Sequence, residues 1–149
     1  MKGANEYLTF RIYNDLFAIQ VERVHNIMEL SHLTADQYKK SFVAGSVNFR
    51  GVNIPVIDMH MKCDLPHNDF LRSTCVVVVD VNLKIEKLMV GILVDALYEV
   101  AELAGKIDNS NEINPLVKGF FKKPDGSALS IIDPDEMFSE FEIEVLKNH

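Results

Sequence analysis

Gly45-Ser46-Val47-Asn48-Phe49-Arg50-Gly51-Val52-Asn53-Ile54-Pro55-Val56-Ile57-Asp58 reads as a strand, a glycine turn and a second strand, with one arginine at the bend. Arg50 has no catalytic partner nearby in the sequence. A cation displayed on a turn, where chains commonly carry function, points to a surface that docks something rather than a pocket that reacts with something. Gly45 and Gly51 are read as the structural turn residues of this unit.

The unit returns further along. Val43-Ala44-Gly45 matches Val117-Lys118-Gly119 at an offset of 74 residues, and Val56-Ile57-Asp58 matches Ile131-Ile132-Asp133 at 75. Gly119 is the counterpart of Gly45 and is read as a turn glycine as well. Upstream, Phe17 to Ile27 matches Val90 to Val100 at 73, with Ala18 on Gly91, Ile19 on Ile92 and Val21 on Val94. Each half reads hairpin, short helix, loop, glycine-led hairpin, acidic exit. Two copies are too few for a solenoid. Two related β-lobes are the economical solution, because rolled barrels hide their sheet edges.

The remaining segments fit an all-β chain with short helices. Tyr7 to Tyr13 alternates apolar and polar, the period of a half-buried strand, and Leu16 to Gln20 returns after the Asn14-Asp15 turn. Val21, Val24, Ile27 and Met28 recur at helical spacing, which predicts a short helix; Val94 to Val100 reads the same way. Ser31 to Ser41 is read as a loop or one weak helical turn. Thr74 to Val81 is β-branched and apolar, a strand buried on both faces, with Ile85 to Leu93 as its return. Gly105 to Pro115 is turn-rich and reads as a mobile loop. Pro124-Asp125-Gly126 turns a last hairpin. Asp133 caps a final helix with Pro134 at its first position, and Met137, Phe138, Phe141, Val145 and Leu146 are its expected inward face. The expected division is lobe 1 at about 15–73 and lobe 2 at about 74–135, with the terminal segments packing across the lobes, within one domain of 149 residues.

Charge narrows the function. There are 22 acids against 15 bases, a net charge of −7, which argues against a non-specific nucleic-acid binder and against an anionic membrane surface. The longest apolar run, Cys75 to Val81, is broken by Asp80 and falls well short of a membrane span. The first residues lack the apolar core of a signal peptide. The expectation is a cytoplasmic protein with Cys63 and Cys75 as reduced thiols.

Catalytic motifs are absent from the sequence. No phosphate-binding glycine loop and no Gly-x-Ser-x-Gly elbow occurs. Asp58-Met59-His60-Met61-Lys62-Cys63-Asp64-Leu65-Pro66-His67 holds metal-ligand residue types, yet it is a lone cluster, and its alternative is an exit loop with Cys63 as a small core residue. Metal- or ligand-dependent catalysis by this cluster stays as the competing reading; the residues themselves call for no cofactor. Val21, Val24 and Ile27 form an apolar stripe that suits a core, or a groove for a partner helix.

Tyr7-Leu8-Thr9-Phe10, Phe17 to Val21, the Asn-x-Arg-Gly-x-x-x-Pro-x-x-Asp element at 48–58, Val90 to Asp95, Gly119 and Ile131-Ile132-Asp133 together resemble the CheW-like family, the bacterial chemotaxis coupling proteins. The resemblance spans about residues 6 to 140. It implies two pseudo-equivalent five-stranded, SH3-like β-barrel lobes sharing a hydrophobic core, with a C-terminal helix. It implies a non-enzymatic adaptor that binds the cytoplasmic tip of a chemoreceptor, a helical hairpin, and the regulatory domain of a CheA-type histidine kinase. It implies receptor docking by Arg50 and by an apolar groove of Val21, Val24 and Ile27, with Leu8 nearby. A CheW-like interaction module in a non-motility pathway is the neighbouring alternative. The chain departs from the family at Asn26, where glutamate is common, so Asn26 is read as an interface modulator. It departs again at Met59, His60 and Cys63.

Overall fold

The computed structural model describes residues 5–35, 42–63, 65, 70–103, 107–108 and 116–147. The chain is mostly β. Its described strands are β1 (Glu6–Ile12), β2 (Asp15–Gln20), β3 (Val24–Glu29), β4 (Thr34–Ala35), β5 (Val43–Phe49), β6 (Val52–Ile57), β7 (Cys75–Asn82), β8 (Lys87–Val94), β9 (Ala96–Glu102), β10 (Val117–Lys122) and β11 (Ala128–Ile132). Two short helices accompany them, α1 (Met59–Lys62) and α2 (Glu140–Lys147). One sheet has the order β10-β11-β2-β1-β9, and the other β3-β7-β8-β6-β5-β4.

The halves of the repeat are interleaved. The first sheet joins the hairpin β1–β2 of the first half to β9, β10 and β11 of the second. The second sheet joins the hairpin β7–β8 of the second half to β3, β5 and β6 of the first. The strands are therefore not divided at 73/74 as expected from the sequence. The strands from Val24 to Val94 build one sheet; those from Glu6 to Gln20 and from Ala96 to Ile132 build the other. A linear reading takes each half to fold on itself. However, β8 lies parallel to β6, and β2 lies parallel to β11. Each hairpin thus finds its second edge partner in the opposite half.

The duplication holds at the level of register. Val56 pairs with Gly91 in one sheet and Ile131 with Ala18 in the other, the positions that the offsets equate. Ladder shifts occur at Val43/Gly45 and again at Val117/Gly119. Gly45 and Gly119 are thus strand residues at bulges, not turn residues, and only Gly51 of the three sits in a turn. Gly45 is required by a close approach: a Cβ there would lie 2.1 Å from the Thr34 carbonyl oxygen of β4.

Two expected helices are strands. Val21–Arg23 makes one 3-10 turn, after which β3 begins, and residues 96–102 form β9. The three-residue spacing that suggested helices comes from β-bulges, which insert one extra residue into a strand. Val24 faces Val79 and Ile27 faces Val77; Leu97 faces Phe10 and Val100 faces Leu8. Residues three apart on the bulged strand thus oppose residues two apart on its partner.

The C-terminal helix is divided. Asp133 caps only a 3-10 turn, Pro134–Glu136, its carboxylate accepting from the Asp135 amide. α2 has its own capping box: the Ser139 hydroxyl accepts from the Glu142 amide at 3.2 Å, and the Glu142 carboxylate accepts from the Ser139 amide at 2.9 Å. Met137, Phe138 and Leu146 are buried, whereas Phe141 is 77% exposed. A central core including Phe10, Ile19, Ile57, Val79, Ile92 and Met137 joins the lobes. Each lobe also has its own cluster, around Val47, Ile54 and Val76 in one and around Tyr7, Leu129 and Ile131 in the other. Most of the expected loops at 31–41 and 105–115 lie outside the described residues.

Candidate partner-docking site

Arg50 and Gly51 both have positive φ, 52° and 80°. That is the backbone of a two-residue hairpin turn whose twist matches the flanking strands. Glycine takes this conformation freely; arginine does so at a cost of order 1 kcal/mol. The Asn48 side chain stabilises the turn by accepting from the Gly51 amide at 3.1 Å. Strain held at an exposed, chemically distinctive residue is a pointer to function.

The side chain is anchored from below. The guanidinium carbon lies 4.9 Å from the centre of the Phe49 ring, within cation–π range. Phe49 is buried, and its ring centre is 6.5 Å from that of His25 on β3. His25 Nε2 is in turn 2.6 Å from an Asp80 carboxylate oxygen on β7. The Arg23 guanidinium donates to the Asp80 carbonyl at 2.9 Å and forms an ion pair with Asp135. Asp135 also accepts from the Asn82 amide at 2.6 Å. The turn, β3, β7 and the Pro134–Glu136 turn are thereby tied together.

The expected site residues separate into groups. Ile27 is 44% exposed, and the His25–Phe49 contact brings its strand beside the Arg50 turn. Val21 and Val24 are half-buried against the central core and show only part of their surface. Leu8 is a correction: at 6% exposure it belongs to the central core, because β1 lies between β2 and β9. Asn26 is exposed, and its side-chain oxygen accepts from the Ile27 amide at 2.8 Å. His25, Phe49 and Asp80 were missed by sequence reasoning. Their one visible sign was Asp80 interrupting an apolar strand.

The alternative cluster is occupied with structural tasks. Asp58 caps α1 by accepting from the His60 and Met61 amides. His60 Nε2 lies 2.8 Å from Asp95 in a buried pair. Burial pushes the Cys63 thiol up to about 11, despite the neighbouring Lys62, so it is a poor nucleophile at neutral pH. Among the described residues no three His, Cys, Asp or Glu side chains converge on a common point. Asp64 and His67 lie outside the described residues. Among the described residues, no helix is long and apolar enough to cross a membrane.

Two interleaved sheets carry a braced cation on a strained turn. The chain belongs to the CheW-like domain family, whose model matches residues 6–142. It is 26% identical to a probable chemotaxis protein CheW of Rhizobium etli, over 96% of this chain and 93% of that protein. It is 25% identical to the chemotaxis protein CheW of Thermotoga maritima, over 93% and 90%. The crystal structure of the scaffolding protein TtCheW from Thermoanaerobacter tengcongensis shares the fold, with a TM-score of 0.78 at 22% identity, over 92% of this chain and 94% of that one. The chain is accordingly a chemotaxis adaptor of a non-catalytic family.

Proposed function

We propose that this protein acts as one CheW-like domain in the cytoplasm, coupling chemoreceptors to a CheA-type histidine kinase. Its receptor face is centred on Arg50, with Ile27 and the exposed parts of Val21 and Val24 beside it. Asn26 modulates that face. The helical hairpin at the receptor tip lies across it, and the regulatory domain of the kinase is held elsewhere on the scaffold. The observation that carries this reading is the Arg50 turn. An arginine in a left-handed conformation, stacked on a buried phenylalanine, is pre-organised for contact, and arginine is enriched among residues that dominate interfaces.

The test is a titration of the full-length protein with a receptor-tip fragment and, separately, with a kinase regulatory domain. Saturable binding to both, with receptor affinity reduced by Arg50→Ala, supports coupling. Binding to neither, by protein whose folding is verified by circular dichroism, overturns it.

A further inference from the structure

The lobes are built from equivalent positions, and they differ in how those positions are filled. Val47 faces Ile54 as Phe121 faces Leu129. Met28 faces Val76 as Ala101 faces Tyr7. Met89 faces Asp80 as Leu16 faces Arg11. On the same offsets Phe49 corresponds to Lys123, and Val78 to Thr9. In the Arg50 lobe, Phe49, Met28 and Met89 belong to or pack on the lobe's apolar cluster. In the other lobe those places hold Lys123, Ala101 and Leu16. At those places a ring and two thioethers give way to an ammonium, a methyl and an isobutyl group, while Phe121 and Tyr7 stand where the first lobe has Val47 and Val76.

The second lobe has a cleft of about 480 Å³ whose lining includes Leu16, Ala101, Phe121 and Leu129, with Tyr98 and Lys123 among its polar members. Its size falls within the range usual for small-molecule sites. Polarity is inverted as well. His25 Nε2 meets the Asp80 carboxylate in one lobe, and their counterparts are Tyr98 and Arg11, with Arg11 Nε donating to the Tyr98 hydroxyl at 3.3 Å. Glu99 also lines the cleft. Lys123 is the cation of the lining and Glu99 its acid, while Arg11 stands behind Tyr98 and donates to its hydroxyl.

We infer that this cleft binds a small amphipathic carboxylic acid. The apolar body lies against Leu16, Ala101, Phe121 and Leu129, and the carboxylate is drawn to Lys123. The pairing follows from what the lining offers: apolar surface for the body, and an ammonium that pairs with a carboxylate in a partly desolvated place.

The test uses full-length protein and 3-phenylpropionate as probe, followed by NMR titration and calorimetry. Saturable one-to-one binding is expected, with shifts at Ala101, Phe121 and Leu129. Ala101→Met imports the residue of the other lobe and should weaken binding by about tenfold or more while leaving the melting temperature unchanged or higher, as cavity filling does. Should that variant misfold, Leu16→Phe, which adds volume to the same lining, carries the same test. Lys123→Ala should weaken the acid several-fold and leave 3-phenylpropanol unaffected. Absence of saturable binding up to the solubility limit, or undiminished binding by a folded Ala101→Met variant, overturns the site. Equal affinity for acid and alcohol overturns the role given to Lys123. None of these results depends on receptor or kinase docking.

Discussion

The Arg50 guanidinium rests on the face of Phe49, and the backbone beneath it is in a conformation that arginine adopts at a cost. Stability and recognition therefore pull this residue in opposite directions. Arg50→Gly relieves the left-handed strain and removes the cation, so stability should hold or rise by up to about 1 kcal/mol. Receptor-tip affinity should fall by about 1–2 kcal/mol. Denaturant midpoints and a binding titration on the same preparation check both; a clear loss of stability would contradict the account of the turn.

Gly45 makes a prediction of the opposite kind. Its missing Cβ leaves room for the β4 backbone, with the Thr34 oxygen at 2.1 Å and the Ala35 Cα at 2.9 Å from where that atom would sit. Gly45→Ala must push β4 off the sheet edge, at a cost of about 1–3 kcal/mol. Hydrogen exchange should show lost protection at Thr34 and Ala35 while β7 and β8 keep theirs.

Asp95 holds the junction between the sheets. Its carboxylate meets His60 at 2.8 Å and accepts from the Tyr13 amide at 2.7 Å. Its own amide donates to the Arg11 carbonyl, and its carbonyl accepts from the Ser73 hydroxyl. Asp95→Ala removes the acceptor for two buried or half-buried donors and should cost about 2–4 kcal/mol. Asp95→Asn keeps an acceptor in place and should cost clearly less. Equal losses in thermal melts of the two variants would count against the hydrogen bonds as the cause.

The Lys62–Glu142 pair should make α2 docking dependent on pH. Burial disfavours the Glu142 carboxylate, but hydrogen bonds from Lys62 and the Ser139 amide outweigh it and hold the group below the usual glutamate range. A carboxyl depressed in the folded state adds stability that is present above its unfolded value and is lost as pH falls through the folded one. Glu142→Gln should therefore cost about 1 kcal/mol near neutral pH, and little in acid where the wild-type carboxyl is protonated. Urea titrations of both proteins across the carboxylate range provide the measurement.

Much of the fold was legible in local pattern. The hairpin at 43–57, the buried strand at 75–82 and the Pro124-Asp125-Gly126 turn follow from alternation, β-branching and turn chemistry, all properties of neighbouring residues. The helix assignments at 21–28 and 94–100 failed because a bulge imitates helical spacing in apolar residues. Leu8 was placed beside the docking groove by the resemblance alone; alternation had grouped it with Phe10 and Ile12 on the apolar face, where all three are buried.

By itself the sequence determined the duplication, the Arg50 turn and the family pattern at 48–58, because each is written in residues close together or in matched spacing. Tertiary structure decided which half supplies each hairpin's second neighbour, since strand pairing depends on which edges meet after the chain has closed long loops. It also decided what braces Arg50. His25, Phe49 and Asp80 come from three strands and acquire their joint role only when the second sheet brings them within contact.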